Sequence, residues 1–520
     1  MKTYWVVVAL GSCMGMAASV RAADPVLCAR LSGLKLPDTR IEKTEVISGT
    51  PAWQIPDGVF ARLGGGPRMT VSVPFCRVSL AIETEIQVEV WLPDDWNHRF
   101  EGVGNAGLTG ALNYPSMVAA LRGHFATAST DTGHVTERDP FQSDWIAGHA
   151  RRVIDFGHRA HHLMALRAKE VIAAYYGQHP ARSYFSGCSS GGWQGLTEAQ
   201  RYPADYDGIL AGAPAINYLG ATVRGMVLAQ AANAHPEGNL DAAASKLLVQ
   251  AALARCDAED GLKDGLISAP LGCRFDPAQL QCKAGRTEEC LTAAQVDRAR
   301  LTYGPHSTPG GLKLYPGPTW GTAAFFSLSG GPAAKPAAAP VPTVDPLSAM
   351  MTAMTGNAPR WSPATFDPDQ DMPTVLRTLG PDLNSTNPDL NAFRRHGGKL
   401  ILYHGGADPG LSPYNTLDYL NSVTDKLGDA KVQSFIRTFF APGMFHCVGG
   451  TGPSVFDGMT PLVAWVEKGE APRAIVATQP GADGTVIRTR PLCPYPQIAS
   501  YKGAGSADVA SSFECRVESR

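Results

Sequence analysis

Residues 84–96, TEIQVEVWLPDDW, alternate apolar and polar positions with the period of two that marks a strand. RFEGVGNAG at 99–107 predicts a second strand running into a glycine-rich turn, and FATASTDTGH at 125–134 a third short one. Over 153–176 the period changes: VIDFGHRAHHLMALRAKEVIAAYY places apolar residues at helical spacing. The apolar SYFSG follows at 183–187, and GGWQGLTEAQRY at 191–202 returns to a helical pattern. Strand, helix, strand, helix in succession predicts an α/β fold built on a mainly parallel sheet.

After YDGILAGAPA at 206–215 the pattern breaks. Residues 217–394 hold a cluster of cysteines, the Pro/Ala-rich GGPAAKPAAAPVPTVDP and several Gly-Pro turns, far too long a stretch for one loop of a compact domain. Strand-and-turn segments resume with GGKLILYHGGADPG at 397–410 and VQSFIRTFFAPGMFHC at 432–447, before a helical MTPLVAWVEKGEAP at 459–472. The expected organisation is a core in two parts, 23–216 and 395–520, interrupted by an inserted unit over 217–394, with no internal repeat.

A length of 520 residues suits a large core plus a second unit. With 45 basic against 47 acidic side chains and only 18% charged residues, no strong field favours nucleic acid or an anionic membrane surface, which leaves a small molecule as the expected partner. The opening MKTYWVVVALGSCMGMAASVRAADPV pairs a lysine with an apolar run and small residues around Ala22, predicting a secretory signal over 1–22 and a secreted or periplasmic protein. LGSC at 10–13 leaves lipid attachment open as an alternative. No other segment is long and apolar enough to span a membrane. Loss of the signal removes Cys13 and leaves ten cysteines, an even number that predicts disulfides in an oxidising compartment. Without a CxxC pair or a matching histidine pair, a zinc site is not expected.

Gly187-Cys188-Ser189-Ser190-Gly191 fits the G-x-S-x-G turn of an α/β-hydrolase, flanked as that turn must be by a strand and a helix. The same fold needs an acid and then a histidine later in the chain, each on a turn after a strand; Asp408 follows LILYHGGA and His446 follows FIRTFFAPGMF. In that constellation His446 takes the Ser189 proton and Asp408 holds the imidazole. Cys188 directly precedes the serine and Cys447 directly follows the histidine, so a Cys188–Cys447 disulfide would tie the two turns together.

GCSSGG, YHGGADPGLSP and PGMFHC together resemble the tannase and feruloyl esterase family of secreted α/β-hydrolases, a similarity that extends to TPLVAWVEKGEAP and the closing RTRPLCPYPQIASYKG. Mono(2-hydroxyethyl) terephthalate hydrolases are members of the same family. The resemblance implies that the insertion is a lid, and that the other disulfides are Cys28–Cys76, Cys256–Cys273, Cys282–Cys290 and Cys493–Cys515. It implies an oxyanion hole made by the backbone N–H groups of Gly107 and Ser190, although Asn105-Ala106 stands where relatives often carry Gly-Gly.

CDAEDGLKDGLI supplies Asp257, Asp260 and Asp264 with the carbonyls of Leu262 and Leu266, an all-oxygen set suited to Ca²⁺. It departs from the EF-hand spacing, and a solvated acidic turn is the alternative; the resemblance favours a structural calcium in the lid and no organic cofactor. His158, His161 and His162 share one helix and read as an ordinary helical face, and His404 as a structural neighbour of the site. Trp320, Phe325, Phe326, Trp361 and Leu411 are candidates for an aromatic-ester pocket or for the lid's own core. The chemistry so implied is hydrolysis of a feruloyl or galloyl type ester through a Ser189 acyl-enzyme, with a terephthalate monoester as the rival substrate. Amide cleavage and an inactive secreted binding module are the readings from other classes.

Overall fold

The computed structural model describes residues 24–60, 69–136, 139–285, 288–308, 310–322 and 345–517. The signal expected over 1–22, with Cys13, and the pocket candidates Phe325 and Phe326 lie outside the described residues.

Nine strands form the central sheet: β1 (Thr39–Ile47), β2 (Phe75–Ile82), β3 (Ile86–Pro93), β4 (Arg99–Val103), β5 (Ala126–Thr130), β6 (Arg182–Cys188), β7 (Gly208–Gly212), β8 (Lys399–Gly405) and β9 (Ile436–Ala441). Their spatial order is β1-β2-β3-β5-β4-β6-β7-β8-β9. The pairs from β5 to β9 run parallel, whereas β1·β2, β2·β3 and β3·β5 run antiparallel, so the sheet is mixed. Parallel neighbours need crossovers, and the helices Ala160–Tyr176 and Ser190–Arg201 supply them. The first of these stops at Gly177, whose φ of 74° is the left-handed cap that glycine permits.

Strand β3 shows why alternation alone misjudges burial. Gln87 is only partly covered, yet Glu89 sits inside the sheet face, paired to Arg77 at 2.5 Å and accepting from Trp91 Nε1 at 2.9 Å. A polar position in the pattern is here a buried ion pair, satisfied by its neighbours.

Between β7 and β8 the chain builds helices Tyr218–Ala234, Ala242–Cys256, Ala293–Tyr303, Pro346–Thr355 and Pro368–Leu383. Leu219, Val223, Met350, Val375 and Leu379 from this insertion share one apolar cluster with Trp145, Phe156 and Trp193 of the core. The insertion is therefore seated on the core through a common interior. Leu390 and Phe393 already pack beneath the central sheet, so the chain has rejoined the core before β8 begins.

Five disulfides join Cys28 to Cys76, Cys188 to Cys447, Cys256 to Cys273, Cys282 to Cys290 and Cys493 to Cys515. That number of bridges marks a protein of an oxidising, extracellular environment. Among the described residues no helix is long and apolar enough to cross a membrane.

Candidate active site

β6 ends at Cys188 and the helix Ser190–Arg201 starts at once, so Ser189 alone makes the turn. Its φ of 63° and ψ of −122° lie where an L-residue is strained, and its N–H is held by the Gly212 carbonyl at 3.0 Å. The flanking glycines are steric requirements. A Cβ at Gly187 would meet the Gly191 carbonyl carbon at 2.6 Å, and one at Gly191 would meet the Asn105 carbonyl oxygen at 2.9 Å. The serine is thus lifted above the carboxyl end of the parallel strands by two backbones packed glycine to glycine.

β8 and β9 are parallel neighbours, and the turn after each carries one of the other two residues. Asp408 is fully buried; its Oδ1 accepts from the N–H groups of Gly410 (2.8 Å) and Leu411 (2.9 Å). Its Oδ2 faces His446 Nδ1 at 2.6 Å and His404 Nε2 at 3.2 Å. Burial alone would raise this carboxyl, but the charge of His446 and the hydrogen bonds from His404 and His446 outweigh it and hold Asp408 well below the usual carboxylate range. For His446 desolvation pulls downward, and the Asp408 charge and hydrogen bond overcome it, raising the imidazole above 6.5. The His446 side chain remains 31% exposed, so its far edge is open.

The Cys188–Cys447 bridge joins the residues next to Ser189 and His446, with 6.0 Å between the two Cα atoms. Cys447, like Ser189, has a positive φ, 67°. Two strained turns 259 residues apart in sequence are thereby held together.

The turn after β4 completes the arrangement. Gly104 N–H donates to the Ser186 carbonyl (2.9 Å), Asn105 N–H to Gln194 Oε1 (2.9 Å) and Leu108 N–H to the Pro140 carbonyl (2.7 Å). Between them, the N–H groups of Ala106 and Gly107 find no acceptor among the described residues. Gly107 has φ +58°, and its carbonyl accepts from Ser190 Oγ at 2.8 Å, which pins this turn to the serine elbow. Ser190 opens its helix, so its N–H has no intrahelical partner.

Sequence reasoning missed the residues that hold this turn. Asn105 Nδ2 donates to the Ala111 and Thr130 carbonyls at 2.9 and 3.0 Å, its Oδ1 meets His161 Nε2 at 3.0 Å, and Gln194 reaches over from the elbow helix. The one visible signal was an asparagine inside a glycine-rich turn. His404, fully buried, links Thr416 Oγ1 (2.8 Å) and the Leu411 carbonyl (3.0 Å) to the acid.

The three helix histidines diverge: His158 meets Tyr202 and Asp382, His161 meets Asn105, and His162 meets Asp205. Trp320 stacks on Tyr303 at 4.3 Å and Trp361 packs edge-on against Phe366 at 4.8 Å, both half-buried within the insertion, while Leu411 is buried beside Asp408.

The acidic loop is compact. Asp257 accepts from the N–H groups of Asp264 (3.1 Å) and Gly265 (3.0 Å), Asp260 from Leu262 (2.9 Å), and Asp264 from Leu266 (3.2 Å) while pairing with Arg490 at 2.5 Å. Asp260 Oδ2 is buried with no partner, and burial, with the nearby Asp264 charge, pushes this carboxyl up. An orphaned carboxylate oxygen among carboxylates and loop carbonyls is a donor set that fits a hard divalent cation.

A strained serine turn, joined by a disulfide to a histidine on a buried aspartate, and a pinned glycine turn stand above the mixed α/β sheet. Residues 71–516 match the family model for tannase and feruloyl esterase, and the chain belongs to that family of carboxylic ester hydrolases. It is 35% identical to the mono(2-hydroxyethyl) terephthalate hydrolase of Piscinibacter sakaiensis, over 83% of this chain and 81% of that one. It is also 35% identical to a probable feruloyl esterase of Arthroderma benhamiae, over 86% of each. The crystal structure of feruloyl esterase B from Aspergillus oryzae superposes with a TM-score of 0.80 at 28% identity, covering 94% of this chain and 99% of that one.

Proposed function

We propose that this chain hydrolyses esters of aromatic acids, of the feruloyl or galloyl type, through Ser189, His446 and Asp408. The observation that carries the reading is the 2.6 Å contact of His446 Nδ1 with buried Asp408, bridged by Cys447–Cys188 to a serine in the strained elbow conformation. Ser189 Oγ attacks the ester carbonyl while His446 Nε2 takes its proton. The oxyanion that forms is met by the N–H groups of Ser190 and Gly107, a contribution of about 3 kcal/mol for one well-placed donor. His446 then protonates the departing alcohol, leaving the acid on Ser189. Water deprotonated by His446 releases the acid and restores the serine.

His446 works as a base only when neutral. Its pKa is raised by Asp408, so kcat/KM falls about tenfold per pH unit on the acid side, with a midpoint above 6.5 in the free enzyme. A pH–rate profile from pH 4 to 9 checks this; a midpoint below 6.5 would dissociate Asp408 from His446.

The aromatic-acid substrate is supported by the names of the relatives, and the similarity to the terephthalate monoester hydrolase favours a second substrate of the same shape. Side-by-side kcat/KM values for methyl ferulate, methyl gallate, mono(2-hydroxyethyl) terephthalate and p-nitrophenyl butyrate decide between them. An aromatic ester leading by tenfold or more supports the reading, and a lead for the butyrate ester overturns it.

The insertion is read as a lid over Ser189, and residues 1–22 as a signal for secretion or passage to the periplasm. Asp257, Asp260 and Asp264, with the Leu262 and Leu266 carbonyls, would hold a structural Ca²⁺ whose charge neutralises the crowded carboxylates. No organic cofactor enters the chemistry. Chelation then lowers the melting temperature by several degrees, and added Ca²⁺ restores it. An unchanged melt, with no calcium by elemental analysis, removes the ion.

A further inference from the structure

On the core, away from the insertion, one histidine and two carboxylates converge from three elements. His162 lies on the helix Ala160–Tyr176, Glu198 on the helix Ser190–Arg201, and Asp205 in the turn that leads into β7. Each offers one ligand atom, and the three atoms lie within 4.8 Å of one another. His162 Nδ1 faces Asp205 Oδ2 at 2.6 Å. Glu198 is 1% exposed, and among the described residues neither of its carboxylate oxygens meets a donor. Asp205 is buried as well, whereas the His162 side chain is 26% exposed and leaves the cluster a way to solvent.

Lys169 does not balance this pair of carboxylates. Its Nζ donates to the Asp205 backbone carbonyl and lies over the Tyr206 ring at 5.6 Å from the centroid. Burial first, and then the charge and contact of Asp205, push Glu198 well above the usual carboxylate range, and the Lys169 charge opposes them without prevailing. His162, even when charged, is matched by Asp205 and leaves Glu198 without a counter-charge. Two buried carboxylates held this close require a proton or a cation between them. The three groups are also held in place: the His162 ring stacks on Tyr202 at 3.8 Å, and the Asp205 N–H donates to the Tyr202 carbonyl at 2.9 Å.

One imidazole nitrogen with two carboxylate oxygens is a mixed N/O donor set. The imidazole favours zinc over Ca²⁺ and Mg²⁺, and three protein ligands with a water in the fourth place complete a tetrahedron. We infer that His162, Glu198 and Asp205 hold a Zn²⁺ ion, at a site separate from the acidic loop of Asp257, Asp260 and Asp264. The ion meets the charge of both carboxylates, and the protons they share leave to solvent as it binds. Its role is structural, because Glu198 lies about 12 Å along the helix axis from Ser190. It anchors the far end of the elbow helix to the helix Ala160–Tyr176 and to the turn before β7. No spacing in the sequence announces it, since each ligand comes from a different element and the histidine has no histidine partner.

The test is calorimetric titration of the full-length protein, stripped by a chelator and resaturated with Ca²⁺, with Zn²⁺, Mn²⁺ and Mg²⁺ in turn. One Zn²⁺ binds per chain with micromolar or tighter affinity, at least tenfold tighter than Mn²⁺ or Mg²⁺, and raises the melting temperature by several degrees. Glu198→Gln, which keeps the size of the side chain and removes its charge, weakens Zn²⁺ tenfold or more, as does His162→Phe. Asp260→Asn, in the acidic loop, leaves Zn²⁺ binding unchanged. If Glu198→Gln fails to fold, His162→Phe carries the comparison, because its ring keeps the stack on Tyr202. Absence of Zn²⁺ binding at millimolar metal, equal binding of Mg²⁺, or binding that is lost in Asp260→Asn each overturns the site. Affinity unchanged in Glu198→Gln and His162→Phe overturns it too, and marks an adventitious ion only, with a shared proton holding Glu198 against Asp205. Turnover is never read, so a failure here is distinct from a failure of the esterase reading.

Discussion

Asp408→Asn folds as the wild type does and loses about 10⁴-fold in kcat, with KM little changed. The two acceptor contacts to Asp408 Oδ1, from the N–H groups of Gly410 and Leu411, decide how the new amide sits. They require an oxygen, so the amide NH₂ takes the place of Oδ2. There it points at His446 Nδ1 and His404 Nε2, which now meet a donor instead of an acceptor. His446 must turn its lone pair to Nδ1, which places a proton on Nε2 and leaves Ser189 without a base. Loss of the carboxylate also removes what raises His446, so any residual activity has its acid limb shifted downward. Steady-state kinetics and a circular-dichroism melt check both halves. A loss under tenfold in a folded protein would remove Asp408 from the mechanism.

Replacing Cys188 and Cys447 together by alanine gives the second largest effect, a fall of about 10²-fold in kcat. The bridge spans 259 residues of sequence, and its removal frees an unfolded chain by about 5 kcal/mol on the chain-entropy account. The other four disulfides and the shared apolar cluster keep the fold, so the native content by circular dichroism is retained with a lowered melting temperature. What is lost is position: the strand-to-helix turn still holds Ser189 at its positive φ, but the turn that carries His446 is no longer tied to it. Full activity in the double variant would show that the sheet alone sets the site.

The core was legible because its elements are local. Period-two runs, a helix ending in a glycine and turns after strands can each be read within a dozen residues, and Ser189, Asp408 and His446 all sit on such turns. Cys188–Cys447 was legible from its place beside Ser189 and His446, whereas the other four cysteine pairs came from a resemblance, since spacing alone leaves their connectivity open. What escaped is what the fold assembles from distant places. Glu89 reads as a solvent-facing position until Arg77 and Trp91 surround it. Gln194 becomes a support of the glycine turn only when β4 and β6 lie side by side. Trp320 and Trp361, which composition leaves open between an aromatic-ester pocket and the insertion's own core, pack with Tyr303 and Phe366, contacts that only the folded insertion supplies.

The most direct test of the central claim is covalent labelling by a fluorinated organophosphonate, followed by peptide mass spectrometry, on wild type and Ser189→Ala in parallel. A single adduct on Ser189 in the wild type, none in the variant, and ester hydrolysis lost in both labelled and mutated protein is the result predicted. An adduct on another residue, or hydrolysis that persists in Ser189→Ala, would contradict it.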